Sequence, residues 1–218
     1  MASTPQFIGT YRSSQTQLVA AHATRPRPVW TPGSNGSRIH SINVATDDST
    51  SGQTLTLYRA TPLTLASNMG TANLVKGTPD TITRTAGSFL TDGWIQNQRI
   101  FVLGSTTLAN DVTTFLSAAV AALTLTITAS TFNNSEAFPS TGKLMMASLI
   151  ATISLPASSG SGTSTVPLNA LNPNLMPTLL GAPDNFFMLG SADMLLAAVS
   201  TSVASNKSVD IVVEGGDY

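Results

Sequence analysis

Cysteine is absent from the 218 residues, which excludes disulfides and thiolate metal sites. Stability must therefore come from packing or from neighbouring subunits. Charge is also scarce, at 10% of residues against about 25% in an ordinary globular chain. The ten Lys and Arg stand singly in a chain of net charge −1, with no basic patch that would mark a nucleic acid as partner. Long apolar runs are missing too. "FLSAAVAALTLTIT" (Phe115–Thr128) and "LMMASLIATISL" (Leu144–Leu155) are interrupted by Ser or Thr and fall short of the roughly 18–20 residues that span a bilayer. No membrane partner is expected, and both runs read as core strands. The opening "MASTPQFIGTYRSSQTQ" is polar and lacks the apolar segment of a signal peptide. The expectation is a soluble chain.

Serine and threonine fill the space left by charge, so the chain is polar without being ionic. Apolar residues reach 42%, and the length is ample for a buried core, which becomes difficult only below about 40 residues. This composition suits a durable, protease-resistant assembly component better than a typical cytosolic enzyme.

Period-two alternation runs through the chain and predicts strands. "RIHSINVA" places His40, Ile42 and Val44 on one face, and "QTLTLYRA" sets Leu55 and Leu57 opposite Thr54, Thr56 and Tyr58. With "TDDSTSG" between them, Arg38 to Ala60 reads as a β-hairpin. "RIFVLG" (Arg99–Gly104) and "LTLTITA" (Leu123–Ala129) read as a second strand pair. "KLMMASLIATISLPA" (Lys143–Ala157) is one long strand or two with a bend. "MLLAAVSTSVA" and "SVDIVVEGG" close the chain, joined around Asn206. "LVAAHA" (Leu18–Ala23) is compatible with a short helix.

The segment His22–Ser37 holds Pro26, Pro28 and Pro32 and cannot be a central strand throughout, because proline removes ladder donors. Ser158–Pro183 has no period and repeated proline, and reads as long irregular backbone. The fold class expected is all-β: a β-sandwich or jelly-roll-like domain from residues 1–70 and 134–218, carrying an inserted small β-module, residues 71–133.

Catalysis needs titrating or attacking groups held close together. His22 lies in a proline-flanked loop and His40 on a strand, and neither has a nearby His or Cys to complete a metal site. Asp47–Asp48 could begin a calcium site, yet no further acid follows in that loop, and turn-forming hydrogen bonds explain the pair more simply. Serine has no G-x-S-x-G elbow. Gly160 and Gly162 have G-x-G spacing but lack the third glycine and following helix of a phosphate cradle. The sequons at Asn35, Asn133 and Asn206 carry little information in a chain this rich in Ser and Asn. No catalytic residue, metal ligand or cofactor is expected, and the chain reads as a non-enzyme.

Two stretches carry a resemblance. "GSNGSRIHSINVATDDSTSGQTLTLYRA" and the ending "SVDIVVEGGDY" (Ser208–Tyr218) together resemble small virion structural proteins of tailed bacteriophages. Those proteins have a Gly/Asn turn, an Arg-Ile strand and a terminal Gly-Gly-Asp-aromatic tail. The likeness covers about half of the chain, in two pieces. The stretch "ITRTAGSFLTDGWIQNQRIFVLGS" is similar to an I-x-R-x-x-G-S-[FW]-x-x-D-G-[FW] repeat of phage tail and capsid-associated β-domains, with Leu123–Ile127 as the strand that follows. There the resemblance implies a corner at Gly87–Ser88, a tight turn at Asp92–Gly93, and Phe89 and Trp94 packed beneath.

What the resemblance implies is a non-enzymatic particle component that decorates or cements the capsid. Its partners would be the phage major capsid protein and further copies of itself, as a homo-oligomer with a trimer favoured. The location implied is the virion, at the capsid surface, after assembly in the host bacterial cytoplasm. The inserted module sets the chain apart from the short members of that family. Two alternatives stand beside this: a tail or baseplate component, and a carbohydrate- or receptor-binding module using Trp30, Trp94, Tyr11 and Tyr58 as stacking faces.

Overall fold

A computed structural model describes residues 9–49, 52–63, 71–118, 120–128, 131–160, 167–171 and 187–218. The protein is nearly all-β, with 53% of residues in strands and 3% in helix, so sheets alone provide the framework. In chain order the strands begin with β1 (Thr10–Val19), β2 (Arg27–Trp30), β3 (Ser37–Thr46), β4 (Gln53–Pro62) and β5 (Ala72–Val75). Next come β6 (Thr81–Arg84), β7 (Arg99–Leu103), β8 (Val112–Phe115), β9 (Thr124–Thr126) and β10 (Glu136–Phe138). The last are β11 (Lys143–Leu155), β12 (Leu168–Asn169), β13 (Phe187–Leu189), β14 (Met194–Val199) and β15 (Ser208–Asp217).

The chain divides into two compact units, Met1–Arg59 with Leu149–Tyr218, and Ala60–Ser148. The first unit is a β-sandwich. One sheet has the antiparallel order β1-β15-β3-β12, with β13 also paired to β3. The other contains β2, β14, β4 and the C-terminal part of β11, in that order. Leu18, Ile39, Ile42, Val44, Val209, Ile211 and Val213 from one sheet meet Trp30, Leu55, Leu57, Ile153, Leu155, Leu195 and Ala197 from the other in a single apolar cluster. Along β4 and β15 every second residue contributes, as period two demands. β14 also contributes every second residue, Leu195, Ala197 and Val199, and the intervening positions of its run MLLAAV are buried as well.

The second unit has a four-stranded antiparallel sheet of order β10-β5-β6-β9, and β7 lies between β8 and the N-terminal part of β11. Its core gathers Leu74, Ile82, Phe89, Trp94, Ile100, Val102, Leu116, Leu125, Ile127 and Phe132. β11 is one unbroken strand of 13 residues.

Two expected pairings and one expected facing differ. Arg38–Ala60 is not a hairpin, because β3 and β4 belong to opposite sheets of the sandwich. The alternation of each strand fixes which face is buried but not which strand it pairs with, and both are needed to cover the core. β7 and β9 likewise do not pair: β7 lies between β8 and β11, and β9 joins β6. His40 leaves the face of Ile42 and Val44. The pairing of β15 with β3 steps from Glu214↔Ser41 to Gly215↔Ile39, so His40 is the extra residue of a β-bulge and points to solvent. The segment Leu18–Ala23 holds a single 3₁₀ turn, Ala20–His22. The proline-rich segment contributes β2, an edge strand, where the missing N–H of Pro28 costs little.

Candidate functional site

The two quoted motifs converge on two clusters of the same composition, an arginine stacked on an aromatic ring and paired with an aspartate. In the first unit the terminal Gly-Gly-Asp-Tyr is the end of β15, between β1 and β3. Gly215 sits opposite the bulge, where a Cβ would fall on the carbonyl oxygen of Arg38, inside any contact distance. A side chain there would force β15 and β3 apart, so the position takes glycine.

Two residues on, the Asp217 carboxylate accepts from Arg12 Nη2 (3.0 Å), from the backbone N–H of Gly33 (3.1 Å) and from the Ser37 hydroxyl. Arg12 Nε lies 2.9 Å from Asp217 Oδ2, and its guanidinium stacks 4.0 Å from the centre of the Trp30 ring. Burial pushes the Asp217 pKa up, but the hydrogen bonds from Ser37, Arg12 and Gly33 and the Arg12 charge outweigh it and hold the carboxyl below its ordinary value. Gly33 leaves room for this carboxylate, since a Cβ there would lie 2.8 Å from Asp217 Cγ. Asn35 Nδ2 donates to the Tyr218 carbonyl at 3.1 Å, which pins the last residue.

In the second unit the stretch Asp80–Gly104 builds its own cluster. Gly87 and Gly93 have φ of 71° and 90°, the left-handed region in which glycine is unstrained. Between them the chain turns tightly, with Asp92 N donating to Ser88 O (3.1 Å) and Trp94 N to Phe89 O (3.1 Å). Phe89 and Trp94 are both buried and meet edge to face, with centroids 6.5 Å apart. Arg84 lies 4.7 Å over the Phe89 ring, donates to the Ala86 carbonyl, and pairs with Asp92. Its side chain is fully shielded from solvent, so Asp92 is the countercharge that makes its burial tolerable. Asp80, also buried, accepts from the backbone amides of Gly77 (2.7 Å), Phe132 (2.6 Å) and Thr131 and ties two loops together.

The remaining singled-out residues are structural in their contacts. His22 Nδ1 accepts from the Val19 backbone N–H at 3.2 Å; burial first, then Arg27 and Arg25, lower its pKa. His40 is lowered by burial and by Arg38. Asp47 Oδ1 accepts from Ser208 N at 2.6 Å, and Asp48, itself buried, accepts weakly from Ala204 N at 3.4 Å. Both carboxylates thus hold the turn before β15. Gly160 has φ of 78° and packs its backbone on Ala45; Gly162 lies outside the described residues. No group of three or more His, Cys, Asp or Glu that could hold a metal ion occurs among the described residues.

Trp30 and Trp94 are 1% and 2% exposed, so neither offers a stacking face, whereas Tyr11 is 63% exposed. The Arg12–Asp217–Trp30 cluster escaped sequence reasoning, because its members lie up to 205 positions apart and no spacing announces them. The unusual Gly-Gly-Asp-Tyr ending was the one available signal.

No protein-family model, no curated protein and no solved structure matches the chain.

Proposed function

We propose that the protein is a non-enzymatic structural component of a tailed-phage virion, acting as a homo-oligomer that decorates or cements the capsid by binding the lattice of the major capsid protein. One observation carries this reading. The motif residues that give the chain its likeness to virion proteins are spent on the scaffold: Gly215 on strand approach, Asp217 on closing the chain end, and Arg84, Phe89, Asp92 and Trp94 on the second core. Residues that serve chemistry face a substrate, whereas these face their own backbone. A chain without disulfides or many charges also gains from repeated contacts through symmetry, which a lattice supplies.

A tail or baseplate component is the second reading, favoured by the self-contained corner of Asp80–Gly104 with its Phe89–Trp94 core. The carbohydrate- or receptor-binding reading loses both tryptophans to burial.

Cryo-electron microscopy of the intact particle is the test. Density for this fold spread over the capsid lattice supports the first reading, and density confined to the tail supports the second. A particle whose ordered density and protein content lack the chain overturns both.

A further inference from the structure

We propose that the free edge of β1 is a self-association surface, on which β1 of a second copy pairs antiparallel across a two-fold axis normal to the sheet. Among the described residues β1 ends its sheet, and its ten residues pair with β15 without a break from Thr10↔Asp217 to Val19↔Ser208. A long edge of unbroken register is a template for a further strand, and proteins that avoid such pairing shorten the edge or place lysine, proline or a bulge on it. β1, TYRSSQTQLV, has none of these; its one charge, Arg12, turns inward, where such a charge can guard an edge, but it is paired with Asp217. The first unit shows what a protected edge looks like in β2, which ends the opposite sheet. That strand has four residues, contains Pro28, and meets its neighbour with a register shift between Leu195 and Leu196. One edge is blunted three ways, and the other has no further strand on it among the described residues.

The side chains identify the occupant. Tyr11, Ser13, Gln15 and Gln17 face solvent, while Arg12, Ser14, Thr16 and Leu18 alternate toward the interior. Two of the inward residues are already bound across the sandwich, with Thr16 Oγ1 donating to Pro28 O at 3.1 Å and Arg12 to Thr31 O. A two-fold axis normal to the sheet keeps outward residues outward, so residues of equal parity come opposite each other. Centred on Ser14, Tyr11 meets Gln17 of the second copy and Ser13 meets its Gln15. Centred on Gln15, Tyr11 meets Val19 and Ser13 meets Gln17. Neither register sets two like charges opposite each other, because Arg12 is the strand's lone charge and Asp217 already neutralises it. The outward row of hydroxyls and amides is self-complementary and offers no charge or apolar stripe to select a foreign strand.

Sedimentation equilibrium of the full chain tests the surface. Wild type should associate reversibly in steps of two. Ser13→Lys/Gln15→Lys should weaken that association by about tenfold while leaving unchanged the melting temperature measured at concentrations where both proteins are monomeric, since both positions are exposed and the new charges face one another across the axis. Mixing this variant with Ser13→Glu/Gln15→Glu should restore dimers as the heterodimer. A wild type that stays monomeric at every concentration overturns the proposal. So does association that the lysines leave undiminished, or that the mixture fails to restore. The surface adds an interface to the homo-oligomer named above, and the two fail separately: a monomer in solution sinks the edge pairing, whereas absence from the particle sinks the virion role.

Discussion

Arg12 in the first unit and Arg84 in the second are held alike, each stacked on an aromatic ring and paired with an aspartate. They differ in reach and in exposure. Arg84 and Asp92 are eight positions apart and close one turn of chain, whereas Arg12 and Asp217 are 205 apart and join the two ends of the described chain. The Arg84 side chain is 0% exposed and that of Arg12 is 34%. A buried ion pair whose partner is removed leaves an uncompensated charge in a poorly solvated place, whereas water compensates part of the loss at a half-open one. The local pair should therefore matter more to stability, although the distant pair closes the longer loop.

The largest effect is expected at Asp92. Asp92→Asn should destabilise the second unit by about 3–5 kcal/mol, measured by denaturant titration, because Arg84 stays buried without its countercharge. Arg84→Met/Asp92→Leu should recover much of that loss, since packed apolar side chains of similar volume often replace a buried pair at little cost. If the double variant is no better than the single one, the pair is not what fails. Trp94→Ala should cost a similar amount, about 3–5 kcal/mol, through the cavity left against Phe89. A neutral Trp94→Ala would make the Trp94 face a surface, contrary to its burial.

Gly215→Ala comes next, at about 1–3 kcal/mol. The added methyl meets backbone, not a flexible side chain, so the strands must separate around the His40 bulge. Deleting His40 should remove the bulge and leave Gly215→Ala less costly than in wild type. Equal costs in the two backgrounds would show that the bulge does not set the glycine requirement.

The contrast also explains what the sequence reveals. Ile42, Val44, Leu55 and Leu57 are buried as alternation predicts, and β11 follows its whole apolar run. The corner at Gly87–Ser88 and the packing of Phe89 and Trp94, which the resemblance implies, are present as well, and the residues that fix them lie close together in the chain. Partner choice is not. β3 and β4 carry the pattern of a hairpin but separate into facing sheets, since alternation encodes a buried face and leaves the neighbour to distant parts of the chain. His40 shows the same limit at one residue, because its orientation is set by the pairing with Gly215, far along the chain. Arg12 and Asp217 stay hidden for that reason, and so does the edge at β1.

Asp217→Asn probes the distant cluster, with an expected loss of about 1 kcal/mol at neutral pH once solvent access to Arg12 is allowed for. Its pH signature is more specific. The fold holds the Asp217 carboxyl below its ordinary value of 3.8, so the carboxylate form is favoured when folded. That contribution is fully present above the unfolded pKa and is lost as pH falls through the folded one. The variant should therefore lose part of the acid-side decline in melting temperature. An acid limb that matches wild type would mean that Asp217 is not held in its charged form by Ser37, Arg12 and Gly33.

The smallest effect is expected at His22, whose partner is a backbone amide of the same turn. Its Nδ1 accepts from Val19 N–H, which requires the neutral ring, and burial with Arg27 and Arg25 lowers the pKa from 6.5. A lowered histidine favours the uncharged form when folded, so the unfolded chain takes up the proton first as pH falls. Stability from this group is present above about pH 6.5 and declines as pH falls through the folded pKa. His40 is shifted the same way by burial and Arg38, so it contributes a decline of the same sign. His22→Gln and His40→Gln should each flatten part of that slope between pH 7 and 5 in melting scans, with the single-residue shares adding in the double variant because the two sit in separate contacts. A slope unchanged in the double variant would assign the decline to carboxylates instead, and would leave the turn at Ala20–His22 held by its backbone alone.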